Sequence, residues 1–305
     1  MALNKELGGA FTALVTPFDA EDRVDEKALA RIVDAQLARG IDGLVPCGTT
    51  GETPALDAAE QEQVVRLVVE RVGGKVPVIA GTGSNSTKIT VEQTKRALTW
   101  GIDAALVVCP YYNKPTQEGL FRHFKAVYEE TGAPIVAYNV PGRTVSDLLP
   151  ETIARLVEAG AIVAVKDATA DLARATETLA LTKGKKLALL SGDDFTILPF
   201  IACGGHGVIS VVSNVAPGDT AKLVRECRAG HYAEVRPLHE RIVALSRALF
   251  LVANPIPVKM AMHLTGWCAP RLRLPLVEAD AATTAKIKLA LEKYSGGANL
   301  EGMMA

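Results

Sequence analysis

Cysteine, aromatic rings and net charge are all scarce in this chain, and each shortage excludes something. The five cysteines, Cys47, Cys109, Cys203, Cys227 and Cys268, are odd in number and never fall in C-x-x-C spacing, so neither a disulfide framework nor a zinc knuckle is expected. A reducing, cytoplasmic setting fits that usage. Aromatic residues make up only 5% of the chain, and 33 Lys+Arg against 34 Asp+Glu leave a formal charge of −1. The basic footprint of a nucleic-acid or anionic-membrane binder is therefore missing, and small molecules or protein are the expected partners. The longest uncharged stretch, Phe195 to Gly218, is cut by Pro199, Gly204, Gly205, Gly207 and Asn214, so it reads as core and not as a membrane span. The opening MALNKELGGA has no charged region followed by an apolar one, and no secretory signal is expected. GTGSNS (Gly81 to Ser86) lacks the third glycine of a dinucleotide fingerprint, no phosphate-loop motif occurs, and the histidines show no ligand spacing. Phosphate cradling therefore has little support, and no metal chemistry is implied.

What is abundant is aliphatic. Hydrophobic residues account for 49% of the 305 and charged residues for 22%, enough for a large core. Short runs rich in Val and Ile alternate with segments of helical period, the order produced when parallel strands are joined by crossover helices. Eight strands are predicted: Phe11 to Val15, Gly43 to Pro46, Val76 to Ala80, Ala104 to Cys109, Ile135 to Asn139, Ile162 to Lys166, Lys186 to Leu190 and Gly207 to Val212. Each is nearly continuously apolar, as strands covered on both faces must be. Helix punctuation lies between them: Asp25 to Gly40, Asp57 to Gly73, Thr116 to Gly132, and Leu149 with Pro150 to Gly160. After the eighth strand only helices follow: Tyr232 to Leu251, Val258 to Leu264 and Ala279 to Tyr294. Eight is the number at which parallel strands close on a filled interior, so the expected fold is an α/β (β/α)8 TIM barrel over residues 1–229 with a C-terminal all-helical extension over 230–305.

In such a barrel, reactive groups project from the C-terminal ends of the strands and the loops beyond them. Here those ends carry CGTTGE, CPYYNKP, YNVPGRT, VKDAT, SGDD and ISVVSN. Lys166, closing AIVAVK, is the most informative: an apolar barrel mouth disfavours an ammonium, and a neutral amine can attack a carbonyl to form a Schiff base. The competing reading pairs Lys166 with Asp167 or another carboxylate as a structural ion pair. Tyr138 could shuttle a proton if its hydroxyl meets another, such as that of Thr49 or Thr50. The Gly-flanked Thr49–Thr50 segment offers backbone N–H groups to a carboxylate, or else is an ordinary turn leading to a helix. Arg143 could grip a carboxylate through two parallel hydrogen bonds or be merely solvated. Tyr111 and Tyr112 read more readily as packing or interface residues than as catalytic ones. Cys47 and Cys109 read as small residues filling the barrel.

Taken together, TALVTPF, GTTGETPAL, VIAGTGSN, PYYNKPTQEGLFRHF, YNVPGRT, VKDAT, LLSGDD, GGHGVISVVSNV and NPIPVK resemble the pyruvate-dependent class I lyase family, most closely its dihydrodipicolinate synthase branch, over nearly the whole chain. The resemblance implies that Lys166 forms a Schiff base with pyruvate, whose enamine attacks the aldehyde of aspartate semialdehyde. It implies a proton relay of Tyr138, Thr49 and Tyr112, with Tyr112 reaching a neighbouring subunit's site. Thr50 would hold the pyruvate carboxylate through its N–H, Arg143 the carboxylate of the aldehyde, and Gly192 and Ile209 would line the pocket through main-chain groups. A homotetramer built as a dimer of dimers is implied, with no cofactor beyond the covalent pyruvate. Sister activities on sugar or sugar-acid aldehydes share the lysine; Arg143 favours an aldehyde that carries a carboxylate. One region departs from the family pattern. Asn85 and Tyr111 match a regulatory lysine site, but Ala58, Gln61 and Ile89 stand where lysine-inhibited relatives carry two histidines and a glutamate. Weak or absent lysine feedback is therefore expected.

Overall fold

The structure is a computed structural model and describes residues 7–296. Strands and helices alternate as β1 (Gly9–Ala13), α1 (Glu26–Ala38), β2 (Gly43–Val45), α2 (Ala58–Val72), β3 (Ile79–Gly81), α3 (Thr87–Thr99), β4 (Ala104–Val108) and α4 (Gln117–Thr131). They continue as β5 (Ile135–Asn139), a one-turn α5 (Pro141–Thr144), α6 (Pro150–Glu158), β6 (Ala164–Asp167), α7 (Leu172–Leu181), β7 (Ala188–Ser191), α8 (Ile197–Ala202), β8 (Gly207–Ser210) and α9 (Pro217–Arg228). Three further helices, α10 (Tyr232–Leu249), α11 (Ile256–Leu264) and α12 (Ala281–Tyr294), end the described chain. The tips of the expected barrel and extension, residues 1–6 and 297–305, lie outside the described residues.

Helix starts follow local chemistry. The Asp25 carboxylate accepts the N–H of Ala28 at 2.9 Å, and Asp57 with Glu60 forms a reciprocal capping box. Thr116 caps α4, and Pro150 occupies the first turn of α6, where its missing N–H would have had no partner. Each hydrogen-bonded cap contributes about 1 kcal/mol. All strand pairs are parallel, in the order β2-β1-β8-β7-β6-β5-β4-β3. The ring closes where Leu44 bridges to Val78 just before β3, with the Leu44 N–H donating to the Pro77 carbonyl at 3.0 Å. The barrel is thus a (β/α)8 closure with helices outside it.

Because strand side chains alternate in direction, one residue parity fills the barrel and the other meets the helices. Phe11, Val45, Ile79, Leu106, Val136, Tyr138, Ala164, Leu190 and Ile209 form the interior cluster. Their strand neighbours Leu44, Val107, Ala137, Val165, Leu189 and Val208 belong to the larger cluster packed against the helices. Lys166 shares the parity of Ala164 and therefore faces the interior. The two ends of the barrel use backbone differently. Returns from helix to strand turn on left-handed glycines, such as Gly73 after α2 and Gly132 after α4. All seven described non-glycine residues with positive φ, Asp22, Cys47, Glu52, Tyr112, Lys114, Val145 and Ala170, fall instead in loops that follow strands. Strained conformations that keep their side chains are concentrated on the face where chemistry is expected.

The C-terminal helices pack on this frame through α10, which lies against α8, α9 and α12, while α11 contacts α10 and α12. Among the described residues no helix is long and apolar enough to cross a membrane.

Candidate active site

Parallel register places Lys166 beside Tyr138 on one side and Leu190 on the other. The Lys166 ammonium nitrogen Nζ lies 4.2 Å from the centroid of the Tyr138 ring, and both residues are 6% exposed. No carboxylate lies within ion-pairing distance of Lys166 among the described residues. The alternative pairing with Asp167 fails for a geometric reason: the next residue on a strand points the other way. Asp167 turns outward, where it accepts from Arg174 at 3.3 Å and from the Thr169 hydroxyl at 2.6 Å. Arg174 also reaches Asp147 at 3.1 Å, and Asn139 donates to Asp147 at 2.8 Å, so the ends of β5 and β6 are locked from outside the barrel.

Gly192, just beyond β7, closes the other side of the lysine. A methyl group there would stand 2.8 Å from the Ala168 Cβ and 3.2 Å from Lys166 Cε. Its N–H donates to the Asp167 carbonyl at 2.6 Å. Ile209 is fully buried on β8 and faces the same interior. The end of β8 is held by Asp194, which accepts the N–H groups of Val211 at 2.9 Å and Val212 at 3.0 Å. Burial pushes the Asp194 carboxyl above the usual carboxylate range.

A cavity of about 450 Å³ is lined by Thr49, Leu106, Tyr111, Tyr138, Val140 and Arg143 among others; Lys166, Thr50, Gly192 and Ile209 are not in its lining, and Lys166 adjoins it through the Tyr138 ring. Arg143 stands on the one-turn α5 with its guanidinium exposed and pairs with no carboxylate among the described residues. The loop after β2 has a particular donor pattern. Gly51 donates to the Gly48 carbonyl at 3.1 Å and Glu52 to that of Thr49 at 3.1 Å, but the N–H groups of Thr49 and Thr50 meet no acceptor among the described residues. Two adjacent free donors in a loop flanked by the left-handed Cys47 and Glu52 suit a carboxylate. The loop does not run straight into α2, as the turn reading had it. A single 3-10 turn, Thr53–Ala55, intervenes before the Asp57 cap.

Tyr112 is 87% exposed and lies outside the cavity lining, whereas Tyr111 lines it. Asn85 accepts from the Asn113 side chain at 2.9 Å through its carbonyl, which ties the loops after β3 and β4 together. Burial pushes the Cys47 thiol up to about 12 and Cys109 higher still, which suits inert filling residues. Three residues missed from the sequence surround Thr50 and Glu52: Asn254, Lys259 and Arg273, all from beyond the barrel. The signal for two of them was present, since NPIPVK places an amide and a cation inside an otherwise apolar stretch.

The profile of the dihydrodipicolinate synthetase family matches residues 6–294. The chain belongs to that family. This family member is 50% identical over 290 residues to a 4-hydroxy-tetrahydrodipicolinate synthase of Anaeromyxobacter sp. (strain K), covering 95% of this chain and 98% of that one. A dihydrodipicolinate synthase from Thermotoga maritima superposes with a TM-score of 0.92 at 42% identity, covering 94% of this chain and 98% of that one. A dihydrodipicolinate synthase variant described as monomeric also superposes at 0.92, with 41% identity over 94% of this chain and 97% of that one. Identity at this level over the full barrel carries its architecture with it.

Proposed function

We propose that this family member is a 4-hydroxy-tetrahydrodipicolinate synthase, a lyase that condenses pyruvate with L-aspartate 4-semialdehyde in lysine and diaminopimelate biosynthesis. The observation that carries the reading is Lys166: a buried amine without a counter-charge among the described residues, set over the ring of Tyr138, which itself lines the cavity. The pyruvate carboxylate docks on the free N–H groups of the Thr49–Thr50 loop, which brings its keto carbon to the amine. The Lys166 nitrogen attacks that carbon, the carbinolamine loses water, and an imine forms. Loss of a methyl proton converts the imine to an enamine. Its nucleophilic carbon adds to the aldehyde of the semialdehyde, whose carboxylate meets the unpaired Arg143 guanidinium through parallel hydrogen bonds. The amine of the second substrate then attacks the imine carbon, closes the ring and releases Lys166. Over the whole cycle one water is lost.

In this reading Tyr138 moves the protons, Thr49, which lines the same cavity, relays them, and Tyr112 of a neighbouring copy completes the relay. Gly192 and Ile209 shape the walls. The chemistry needs only the chain's own amine, so the covalent pyruvate on Lys166 takes the place of a cofactor. A homotetramer built as a dimer of dimers accords with Tyr112 projecting out of its own site. Residues 1–229 form the catalytic barrel and 230–305 the helical extension in this reading. Five unpaired cysteines are compatible with a cytoplasmic location.

Incubation with pyruvate followed by borohydride reduction is expected to add a mass increment to Lys166. An unmodified lysine in folded protein overturns the mechanism. Lys166→Ala is expected to abolish the adduct and most turnover while leaving the fold. Turnover of N-acetylmannosamine or glyceraldehyde, with none of aspartate semialdehyde, would replace the synthase by a sugar-acid aldolase sharing the same lysine.

A further inference from the structure

The loop that carries Thr49 and Thr50 is held from outside the barrel by residues more than two hundred positions away. The Asn254 amide donates to the Thr50 hydroxyl at 3.0 Å, and both residues are almost fully buried. The Asn254 Oδ1 has no hydrogen-bond partner among the described residues. An amide oxygen left buried and unpaired is costly, about 1–3 kcal/mol, so folding alone does not favour an asparagine here over an apolar residue. Two residues on, Glu52 forms a fully buried ion pair with Lys259 of α11. The second Glu52 oxygen accepts the Arg273 N–H at 3.1 Å. Arg273 in turn forks onto Glu60 of α2 through two hydrogen bonds of 2.6 Å. Lys259 and Arg273 both lie over the Phe18 ring, at 4.1 Å and 4.4 Å from its centroid. The Glu52 end of the loop is thus fixed rigidly, and Asn254 is the one described contact from the C-terminal segment that touches a residue of the docking turn itself.

We propose that Asn254 is a positioning residue for pyruvate: by holding the Thr50 side chain it fixes the orientation of the unpaired Thr50 N–H next to Thr49, which lines the cavity. The proposal rests on the pyruvate-binding reading of the Thr49–Thr50 loop. It assigns the C-terminal extension a part in substrate capture that is separate from Schiff-base chemistry on Lys166. Loss of the contact lets the threonine rotate and weakens the carboxylate site, while the amine and the phenol stay in place. The aldehyde site at Arg143 lies on a different loop and keeps its affinity.

The test compares the parent chain with Asn254→Ala and Asn254→Asp. The first removes the contact. The second keeps the shape but sets a carboxylate beside the place where pyruvate's own carboxylate docks. Borohydride trapping on Lys166 is titrated with pyruvate, and steady-state rates are measured with each substrate varied. Half-saturation for pyruvate is expected to rise about tenfold in Asn254→Ala and further in Asn254→Asp, with kcat at saturating pyruvate and the KM for aspartate semialdehyde within about threefold of the parent. Half-saturation within about twofold of the parent in both variants overturns the proposal, as does a fall in kcat at unchanged KM. Circular dichroism and thermal melts identify a misfolded variant; if one fails to fold, the other decides, and failure of both makes Asn254 structural and refutes the proposal. A parent chain that traps no pyruvate removes the functional reading, and this inference with it. A parent that traps normally beside unaltered variants removes the inference alone.

Discussion

At the scale of single residues, the site is built on one absence. Gly192 leaves the space into which the Lys166 side chain extends, and an added methyl would stand 2.8 Å from the Ala168 Cβ and 3.2 Å from Lys166 Cε. The first contact is with a methyl anchored to backbone, so the strain passes to the lysine or to the β7 loop. Gly192→Ala is expected to lower kcat by about tenfold or more, since small displacements of a reacting atom cost heavily in rate. Its thermal midpoint should fall as well, reflecting the loss of about 1–3 kcal/mol ordinary for overpacking, since φ at this position suits an L-residue and only the added methyl has to be accommodated. Steady-state kinetics and a melting curve on one preparation check both halves; unchanged kcat would mean that the lysine has slack. At the same scale, Lys166 and Tyr138 were legible as candidates because a charged or phenolic residue closing an apolar strand stands out against its neighbours, and Arg143 because it follows a tight Pro-Gly pair just beyond one. Asn254 was only half legible: NPIPVK marks an amide in an apolar stretch, but nothing local says which barrel loop that amide will meet.

At the scale of elements, the caps carry the clearest signal. Asp57 and Gly73 bound α2 where the sequence places them, as do Thr116 and Gly132 for α4, since each cap is a local hydrogen bond or a local φ requirement. Strand ends are less legible. β1 begins at Gly9 instead of Phe11, β3 begins at Ile79 instead of Val76, and β6 and β7 each start two residues later than apolar composition suggests. Ladder register is set by neighbouring strands, not by hydropathy, so apolar loop residues such as Leu14 and Val76 look like strand. The α3–α4 pair holds a second prediction. His123 on α4 is buried, with Nδ1 3.0 Å from the Thr87 hydroxyl and Nε2 without a partner among the described residues. Burial lowers its pKa from the ordinary 6.5 to about 4. Between those values the unfolded chain binds a proton that the native ring does not, so the free energy of unfolding falls as pH drops through that window. The loss is complete near the lower value and amounts to about 3 kcal/mol at most. His123→Gln removes the titrating group and is expected to flatten this part of the curve, leaving stability near neutrality changed by no more than about 1 kcal/mol. Urea unfolding of both proteins between pH about 7 and about 4 checks it; parallel curves would show that the acid sensitivity lies elsewhere.

At the scale of the whole molecule, the cavity faces a rim that a single copy leaves bare. Tyr112 at 87% exposure, Val145 at 65%, Ile89 at 44% and Tyr111 at 41% are large apolar side chains carried on loops and the helix start around the same mouth. Association through this rim is the expected route by which Tyr112 reaches a second site, and sedimentation velocity of the parent and Tyr112→Asp should show the variant shifted toward smaller species with lower kcat. Weak or absent lysine feedback is expected at the same mouth. Thr53, Pro54, Gln61, Ser84 and Tyr111 share the cavity with the catalytic wall, and Arg143 is the single charged side chain among the described residues lining it. Gln61 is occupied in donating to the Leu56 carbonyl at 3.1 Å, and Ile89 offers a hydrocarbon where a carboxylate would hold an ammonium. Free lysine docking here would find no anion for its side chain and one cation repelling it. Each missing charge-assisted hydrogen bond removes about 1.5–3 kcal/mol, a factor of roughly 10 to 150 in affinity. Turnover is therefore expected to persist in lysine up to about 1 mM. Introducing the missing anion by Ile89→Glu is expected to create measurable inhibition without altering the KM for pyruvate, and half-inhibition of the parent chain below that concentration would show that this cavity recognises lysine by other means.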